Sequence, residues 1–432
     1  MPPAPGVHRA LTLRTVEDVD ALVGRLDAGA RSVVVVGGGF VGLETAEDLH
    51  RRGLQVTLVE RAPQVLTPLD AEMVAPVHAE LRRQGIDLEL SAEPVEVTDD
   101  AVLLAEGRRL PADVVVLAIG VRPDSGLARA AGLEIDERGG IVVDDQQRTS
   151  DPASYAVGDA AQKRDAVDGS ATLVPLANVA TVRGAGPRMP SRAAPSGRPR
   201  RWALPSSKSS TSPSRDRLER TQGACRRTGG GGDPHPPSSH AGYYPGAESM
   251  ALKLVVEANG AILGALGVGG EGVDKRIDVL ATTIRGGLSA PQLADLELAY
   301  APSFGSAKDP VNMLGYIAEN RVGGVEQTVQ WHEVADRQAQ GATIIDVRTP
   351  AEHTAGHIPG AVNIELDSLR QRLSDLPNGS LVVHCAVGQR AHTAVIQLRA
   401  HGYDVANLDG GYRTWLAGSQ LEEGRRRARE AA

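Results

Sequence analysis

The sequence predicts an α/β protein with parallel sheets near both ends, and three observations carry that expectation. Val33 to Val36 runs through Gly37-Gly-Gly39-Phe-Val-Gly42 into a helical pattern, so a strand feeds a helix across a glycine turn. Leu381 to His384 runs into Cys385-Ala-Val-Gly388 and then a second helical pattern, Ala391 to Ala400. Between these points short Val/Ile/Leu runs alternate with amphipathic stretches, the signature of strand–helix–strand units.

Taken in order, Thr15 and Asp18 form a capping box ahead of Val19, Leu22, Val23 and Leu26, a short helix. A helix over Leu43 to Arg52, a strand over Gln55 to Glu60, a helix over Ala71 to Gln84 and shorter strands ending in Val114 to Ile119 complete the first unit. Strands are expected at Leu252 to Glu257 and Ile262 to Val268, a helix over Lys275 to Ile284 and another from Ala290. The last unit places strands at Thr343 to Val347, Leu381 to His384 and Val405 to Leu408, with a frayed, charged tail over Glu422 to Ala432.

With 432 residues, 41% hydrophobic content and a net charge of −8, the chain suits two to four domains and gives no support to a nucleic-acid partner. No uninterrupted apolar run reaches the roughly 18 residues of a membrane span, and Met1 to Arg14 lacks a signal-peptide layout. A cytoplasmic enzyme is expected. Two cysteines, Cys225 and Cys385, exclude a disulfide framework. Residues 184 to 238 hold two leucines and no Val, Ile, Phe or Tyr amid Arg, Pro, Ser and Gly, too little to build a core. Back-translated with GC-rich codons and read one register over, Ala203 to Ser214 can spell a β-strand, which suggests an out-of-frame stretch from near Arg183 to before His240.

Gly37, Gly39 and Gly42 make a GxGxxG turn in the strand-to-helix context that dinucleotide binding requires. Gly37 permits the tight turn, Gly39 opens the backbone to a pyrophosphate, and Gly42 lets the helix approach the strand. Glu60, closing the next strand, is expected on the ribose hydroxyls, favouring NADH, while Arg61 leaves NADPH open. Tyr155-Ala-Val-Gly158-Asp159-Ala follows, after a turn at Ile119-Gly120-Val-Arg-Pro123.

On these motifs, with HAGYYPGA at 240–247 and LELAYAPSFGSAKDPVNMLGY at 296–316, residues 11–183 and 240–320 resemble the coenzyme A-disulfide reductase branch of the pyridine nucleotide-disulfide oxidoreductases. The resemblance implies a Rossmann-type nicotinamide domain over 31–121, FAD-domain portions over 1–30 and 122–183, and an α+β dimerisation domain over 239–325. It implies that Asp159 and Gly158 meet the ribityl chain of FAD. It also implies a homodimer in which Tyr243, Tyr244 and Tyr300 approach the partner's disulfide site, although they could equally only pack the interface. Phe304 stands where several relatives carry another tyrosine. The family's opening FAD glycine loop and redox cysteine have no counterpart here, so the chain is expected to be a truncated member with little tight FAD binding. Alternatives are a working flavin reductase whose start is mis-assigned, and a non-catalytic NADH sensor.

Cys385 at a strand-to-helix loop, with Arg390 beside it, is placed where backbone N–H groups stabilise a thiolate and an anionic substrate. That loop and IIDVRTPAEHTAGHIPGAVNI at 344–364 resemble the rhodanese family over residues 329–418. The domain is assigned to 326–418, ahead of the charged tail at 419–432. The resemblance implies sulfane-sulfur transfer through a Cys385 persulfide, with thiosulfate, polysulfide, or coenzyme A persulfide or disulfide as partners. Cys385 to Arg390 spans six residues, as in sulfur-transferring members. Asp346 and Arg348 would brace the loop with Gly388, and Glu352 and His357 would support it. An intact fold acting only as a binding module remains open. His384 and His392 could tune the thiol or serve structure alone. No metal site is expected.

Overall fold

The computed structural model describes residues 10–165, 167–177, 180, 224–227 and 239–430. Contacts divide the described residues into two units, one built from the segment up to Gly120 and the segment from Val325 onward, the other from Val121–Arg227 and Pro237–Gly324.

The first segment contains β1 (Ala10–Leu11), α1 (Val16–Asp27), β2 (Ser32–Val36), α2 (Phe40–Arg51), β3 (Gln55–Glu60), α3 (Ala71–Arg83), β4 (Asp87–Leu90), β5 (Pro94–Val97), β6 (Ala101–Leu104), β7 (Arg109–Pro111) and β8 (Val114–Leu117). An all-parallel sheet in the order β1-β8-β2-β3-β4 forms because β2 and β8 are runs of valine, buried on both faces. Val33, Val35 and Val116 pack with Leu22, Ala46, Leu49 and Val74 from the three helices. Val34, Val36 and Val115 instead meet Val97, Val102 and Leu104 of the antiparallel β5-β6-β7 sheet. The Thr15 capping box is present: its hydroxyl accepts the Asp18 N–H, and Asp18 accepts the Thr15 N–H at 3.2 Å.

The second unit contains α4 (Gly126–Ala130), β9 (Lys163–Arg164), β10 (Ala171–Thr172), β11 (Ala224–Arg227), β12 (Met250–Val256), β13 (Ile262–Gly269), α5 (Val273–Gly286) and α6 (Pro310–Val322). An antiparallel β11-β12-β13 sheet shares a core of Leu252, Leu254, Leu280, Leu293, Val311 and Leu314 with the helices. Most of the 184–238 tract expected to be unstructured lies outside the described residues; Ala224–Arg227, within it, pair with β12. The helix expected from Ala290 is a single 3-10 turn, Pro291–Asp295, and the long helix is α6. Its start is set by Asp309, which caps the Val311 N–H at 3.0 Å and pairs with buried Arg276 of α5 at 2.7 Å.

The last segment contains β14 (Thr328–Val329), α7 (Val334–Ala339), β15 (Thr343–Asp346), α8 (Pro350–Ala355), β16 (Val362–Asn363), α9 (Leu366–Leu369), β17 (Leu381–His384), α10 (Gln389–Ala400), β18 (Val405–Leu408) and α11 (Gly411–Glu430). Its parallel sheet runs β14-β18-β17-β15-β16. Ile345, Val383 and Val405 face α10, while Ile344, Val382 and Leu408 share a cluster with Tyr412 and Trp415. The expectation of a frayed tail is corrected here: α11 continues through Glu430. Packing explains this, since Leu421 joins the core of the first segment beside Val74, so a charged stretch gains an apolar anchor. Trp331 Nε1 also donates to the buried Glu72 carboxylate of α3 at 3.0 Å, and Gly418 lets α11 pass against the Trp331 ring. Among the described residues no helix is long and apolar enough to cross a membrane.

Candidate functional site

The glycine turn joins β2 to α2. Gly37 has φ +111°, and a side chain there would strike the Ala118 carbonyl; one at Gly42 would strike the Gly37 carbonyl. Gly39 differs from both. It caps α2 with extended backbone, no side-chain cap is present, and nothing lies within 4 Å of where its Cβ would be. No side chain occupies the start of α2 or the space beside Gly39, the room a pyrophosphate needs at a helix N-terminus. Glu60 is already engaged: Oε2 accepts the Gly38 N–H and Oε1 the Ala62 N–H, both at 2.7 Å. It braces the turn first, and a ribose hydroxyl would share its remaining lone pairs. Leu66 N–H donates to the Gly38 carbonyl at 2.8 Å, and His78 Nε2 accepts the Val65 N–H at 3.2 Å, so α3 fastens the segment that holds the turn.

Gly120 and Gly158 adopt φ +99° and +82° with open space around their Cβ positions. Asp159 is exposed and shows no hydrogen bond or ion pair among the described residues. Lys163, buried and unremarked in the sequence, donates to the carbonyls of Gly158 at 2.7 Å and Ala161 at 3.0 Å, fixing that turn. The expected tyrosines separate into two groups. Tyr243 and Tyr300 are exposed and adjacent, and the Tyr300 phenol raises the pKa of Tyr243 above the usual tyrosine value. Tyr244 sits edge-on to His240, 5.7 Å between ring centres.

Cys385 follows β17, its side chain almost fully buried, and Sγ accepts the Gly388 N–H at 3.1 Å. Tyr412 and Arg413 at the start of α11 donate their N–H groups to the carbonyls of Cys385 (2.8 Å) and Ala386 (3.1 Å). Gly411 is obligatory here: a Cβ would meet the Cys385 carbonyl at 2.5 Å. Arg390 lies near the thiol, and its position is set by Glu352, which takes both guanidinium ends at 2.8 and 2.7 Å. The Arg390 hydrogen bonds hold the Glu352 carboxyl at about 2 against the opposing effect of burial.

Asp346 and Arg348 form a buried pair at 2.6 Å, and His353 Nδ1 lies 2.9 Å from the same carboxylate. Burial works against ionising Asp346, but Arg348, with His384 and His353, outweighs it and keeps its pKa at about 2. Arg348 also stacks over Tyr412, 4.2 Å from the ring centre, and donates to the Gly356 carbonyl. Burial first, then the Arg348 and His353 charges, lowers His384 to about 4 despite Asp346, leaving it neutral at pH 7. The structure places Glu352 on Arg390 and not with Asp346. His357, expected to support the loop, is exposed and stacks on His353 at 4.2 Å.

Residues 1–184 match the pyridine nucleotide-disulphide oxidoreductase family and residues 330–418 the rhodanese-like domain. The coenzyme A disulfide reductase of Staphylococcus aureus (strain bovine RF122 / ET3-1) is 31% identical over 325 residues, covering 71% of this chain and 71% of that relative. The chain belongs to the pyridine nucleotide-disulphide oxidoreductase family. The coenzyme A disulfide reductase of Staphylococcus haemolyticus (strain JCSC1435) is 32% identical over 319 residues, covering 72% and 71%. Among solved structures, reduced Bacillus anthracis CoADR-RHD aligns with a TM-score of 0.85 at 35% identity, covering 97% of this chain and 78% of that one. A NAD-dependent persulfide reductase from A. fulgidus aligns at 0.81 and 32% identity, covering 96% and 78%.

This family of oxidoreductases uses FAD and NAD(P)H, and the residues present can be tested against both. The open Gly39 and uncapped α2 fit a nicotinamide dinucleotide. For flavin, Gly158 and the unpartnered Asp159 fit one part of the molecule; no second glycine turn of the α2 kind occurs among the described residues. A further GxGxxG spacing does exist, Gly267 and Gly269 at the end of β13 and Gly272 just before α5. Its space is filled: side chains there would collide with Val273, Met250 and Arg276. The spacing alone would therefore mislead, and the occupancy of each Cβ position separates the two turns.

Proposed function

We propose that the chain is a sulfane-sulfur transferase at Cys385 joined to a nicotinamide-linked reductase module. The observation that carries this is the Cys385 cradle, with the Gly388 N–H on sulfur and Arg390 pinned beside it by Glu352. The Cys385 thiolate attacks the outer sulfur of a donor such as thiosulfate; the S–S bond breaks and sulfite leaves with the bonding pair, giving a Cys385 persulfide. A nucleophilic acceptor then takes the outer sulfur and restores the thiolate. Arg390 and the loop amide offset negative charge in both states. Polysulfide and coenzyme A persulfide or disulfide are the physiological classes we favour, because the relatives named above are coenzyme A disulfide and persulfide reductases.

In the reductase module, Gly37, Gly39, Gly42 and Glu60 would hold NADH, and Gly158 and Asp159 part of FAD, which supplies two-electron transfer from nicotinamide when bound. Tyr243 and Tyr300 support a site completed with a second copy of the chain. The test is thiosulfate-to-cyanide transfer by wild type and Cys385→Ala, with the visible spectrum of the purified protein before and after NADH. Cys385-dependent transfer is expected. A colourless protein would confine activity to the sulfur site, and a yellow one bleached by NADH would place the reductase in service. Transfer that survives Cys385→Ala would overturn the proposal.

A further inference from the structure

Gly388 is the residue on which the sulfur cradle turns. Its N–H is the amide on Cys385 Sγ, its backbone lies at φ +105° and ψ −27°, and α10 starts immediately after it. Behind it lies a cluster that the transfer chemistry does not use. Asn407 of β18 donates through Nδ2 to the Gly388 carbonyl at 3.2 Å and to Glu326 Oε1 at 2.6 Å. The other Glu326 oxygen lies 2.8 Å from His392 Nδ1, and the His392 N–H returns to the Gly388 carbonyl at 2.9 Å. The bonds close a ring that starts and ends on one carbonyl.

Two features set this ring apart from ordinary packing. Glu326 is a buried carboxylate whose only cationic partner among the described residues is His392, which is one-third exposed. Asn407 is buried with Oδ1 lacking any partner among the described residues. Flipping the amide would not help, since Oδ1 would then face a carbonyl and a carboxylate, both acceptors. Asn407 is thus held as a donor to two acceptors at once, the Gly388 carbonyl and the Glu326 carboxylate.

We propose that Asn407, Glu326 and His392 are positioning residues that hold the Gly388 carbonyl and so fix the backbone angles of Gly388, which keeps its N–H, part of the preceding peptide, on the Cys385 sulfur. This rests on the assignment of Cys385 as the sulfur carrier. None of the three touches the sulfur. Their effect runs through the Gly388 backbone, from the carbonyl they hold to the N–H of the preceding peptide, whose dipole favours the thiolate. The other titratable groups around the loop, Arg390 with Glu352, Asp346 with Arg348, His384, and Tyr412 and Arg413 of α11, are left in place by substitutions in the ring.

The experiment measures the pH profile of Cys385 alkylation by iodoacetamide, alongside thiosulfate-to-cyanide transfer, in the full chain carrying Asn407→Ala or His392→Ala. Thermal melts check the fold, and His392→Ala, at a position about one-third exposed, decides the matter if Asn407→Ala does not fold. We expect Asn407→Ala to lower kcat about tenfold with little change in KM for thiosulfate, and to raise the alkylation midpoint by about one pH unit. His392→Ala lowers kcat about threefold and raises the alkylation midpoint by about half a pH unit. Folded variants with a wild-type alkylation profile overturn the proposal, whether or not transfer falls. If wild type alkylates at Cys385 but transfers no sulfur, the transferase assignment fails, and the alkylation midpoints still decide the clamp.

Discussion

Replacing Glu352 by Gln tests whether Arg390 must be held in place. Glu352 grips both ends of the guanidinium and also accepts the Thr349 N–H at 3.0 Å, so Gln keeps the helix cap but loses the ion pair. The carboxyl lies at about 2 where its ordinary value is 4.5. At about 1.4 kcal/mol per pH unit, that is roughly 3 kcal/mol at face value. Both side chains are about a quarter exposed (28% and 27%), and screening brings the figure to roughly 1–2 kcal/mol. Because the folded pKa is depressed, this stability is present above about pH 4.5 and disappears as pH falls through about 2. Glu352→Gln should therefore lower urea stability at pH 7 by about that amount and flatten the acid limb of the stability curve. With Arg390 free to leave the thiol, kcat/KM for thiosulfate should fall about tenfold or more. A variant that loses the stability yet transfers sulfur at the wild-type rate would refute the role given to Arg390.

Gly39→Ala should fold normally, since its Cβ enters open space at φ −78°, yet weaken NADH binding at least about tenfold by fluorescence titration; Gly42→Ala should compromise the fold itself, because its Cβ meets the Gly37 carbonyl. Asp346→Asn strands Arg348 in the interior and should cost about 3–5 kcal/mol in denaturant melts. The wild-type contribution of Asp346 is present above about pH 3.8 and is lost as pH falls through about 2. Trp331→Phe removes a donor from the buried Glu72 and should lower the urea midpoint by an amount equivalent to about 1 kcal/mol.

Elements whose signal is local were legible in the sequence. The Thr15 capping box, the valine runs of β2 and β8 and the loop at Cys385 each carry their structure in a few adjacent residues. The helical tail was not legible, because what stabilises 422–430 is the docking of Leu421 beside Val74, hundreds of residues away. The partner of Glu352 was hidden for the same reason: its spacing suits a cap on α8, and only the fold brings Arg390 of α10 to it. Glu60 shows a subtler limit. Its place at the end of β3 suggests a ribose ligand, while its bonds to the Gly38 and Ala62 amides appear only once the turn is folded. The Asn407 ring joins β18, α10 and the strand-leading residue Glu326, with no motif linking them.

The central claim is that sulfur is carried on Cys385. Brief exposure of the full chain to thiosulfate, rapid desalting and intact-mass measurement with peptide mapping tests it directly. One added sulfur on the Cys385 peptide, absent from Cys385→Ser and discharged by cyanide as thiocyanate, is the predicted result. A chain that gains no sulfur, or carries it on a peptide lacking Cys385, would contradict the account.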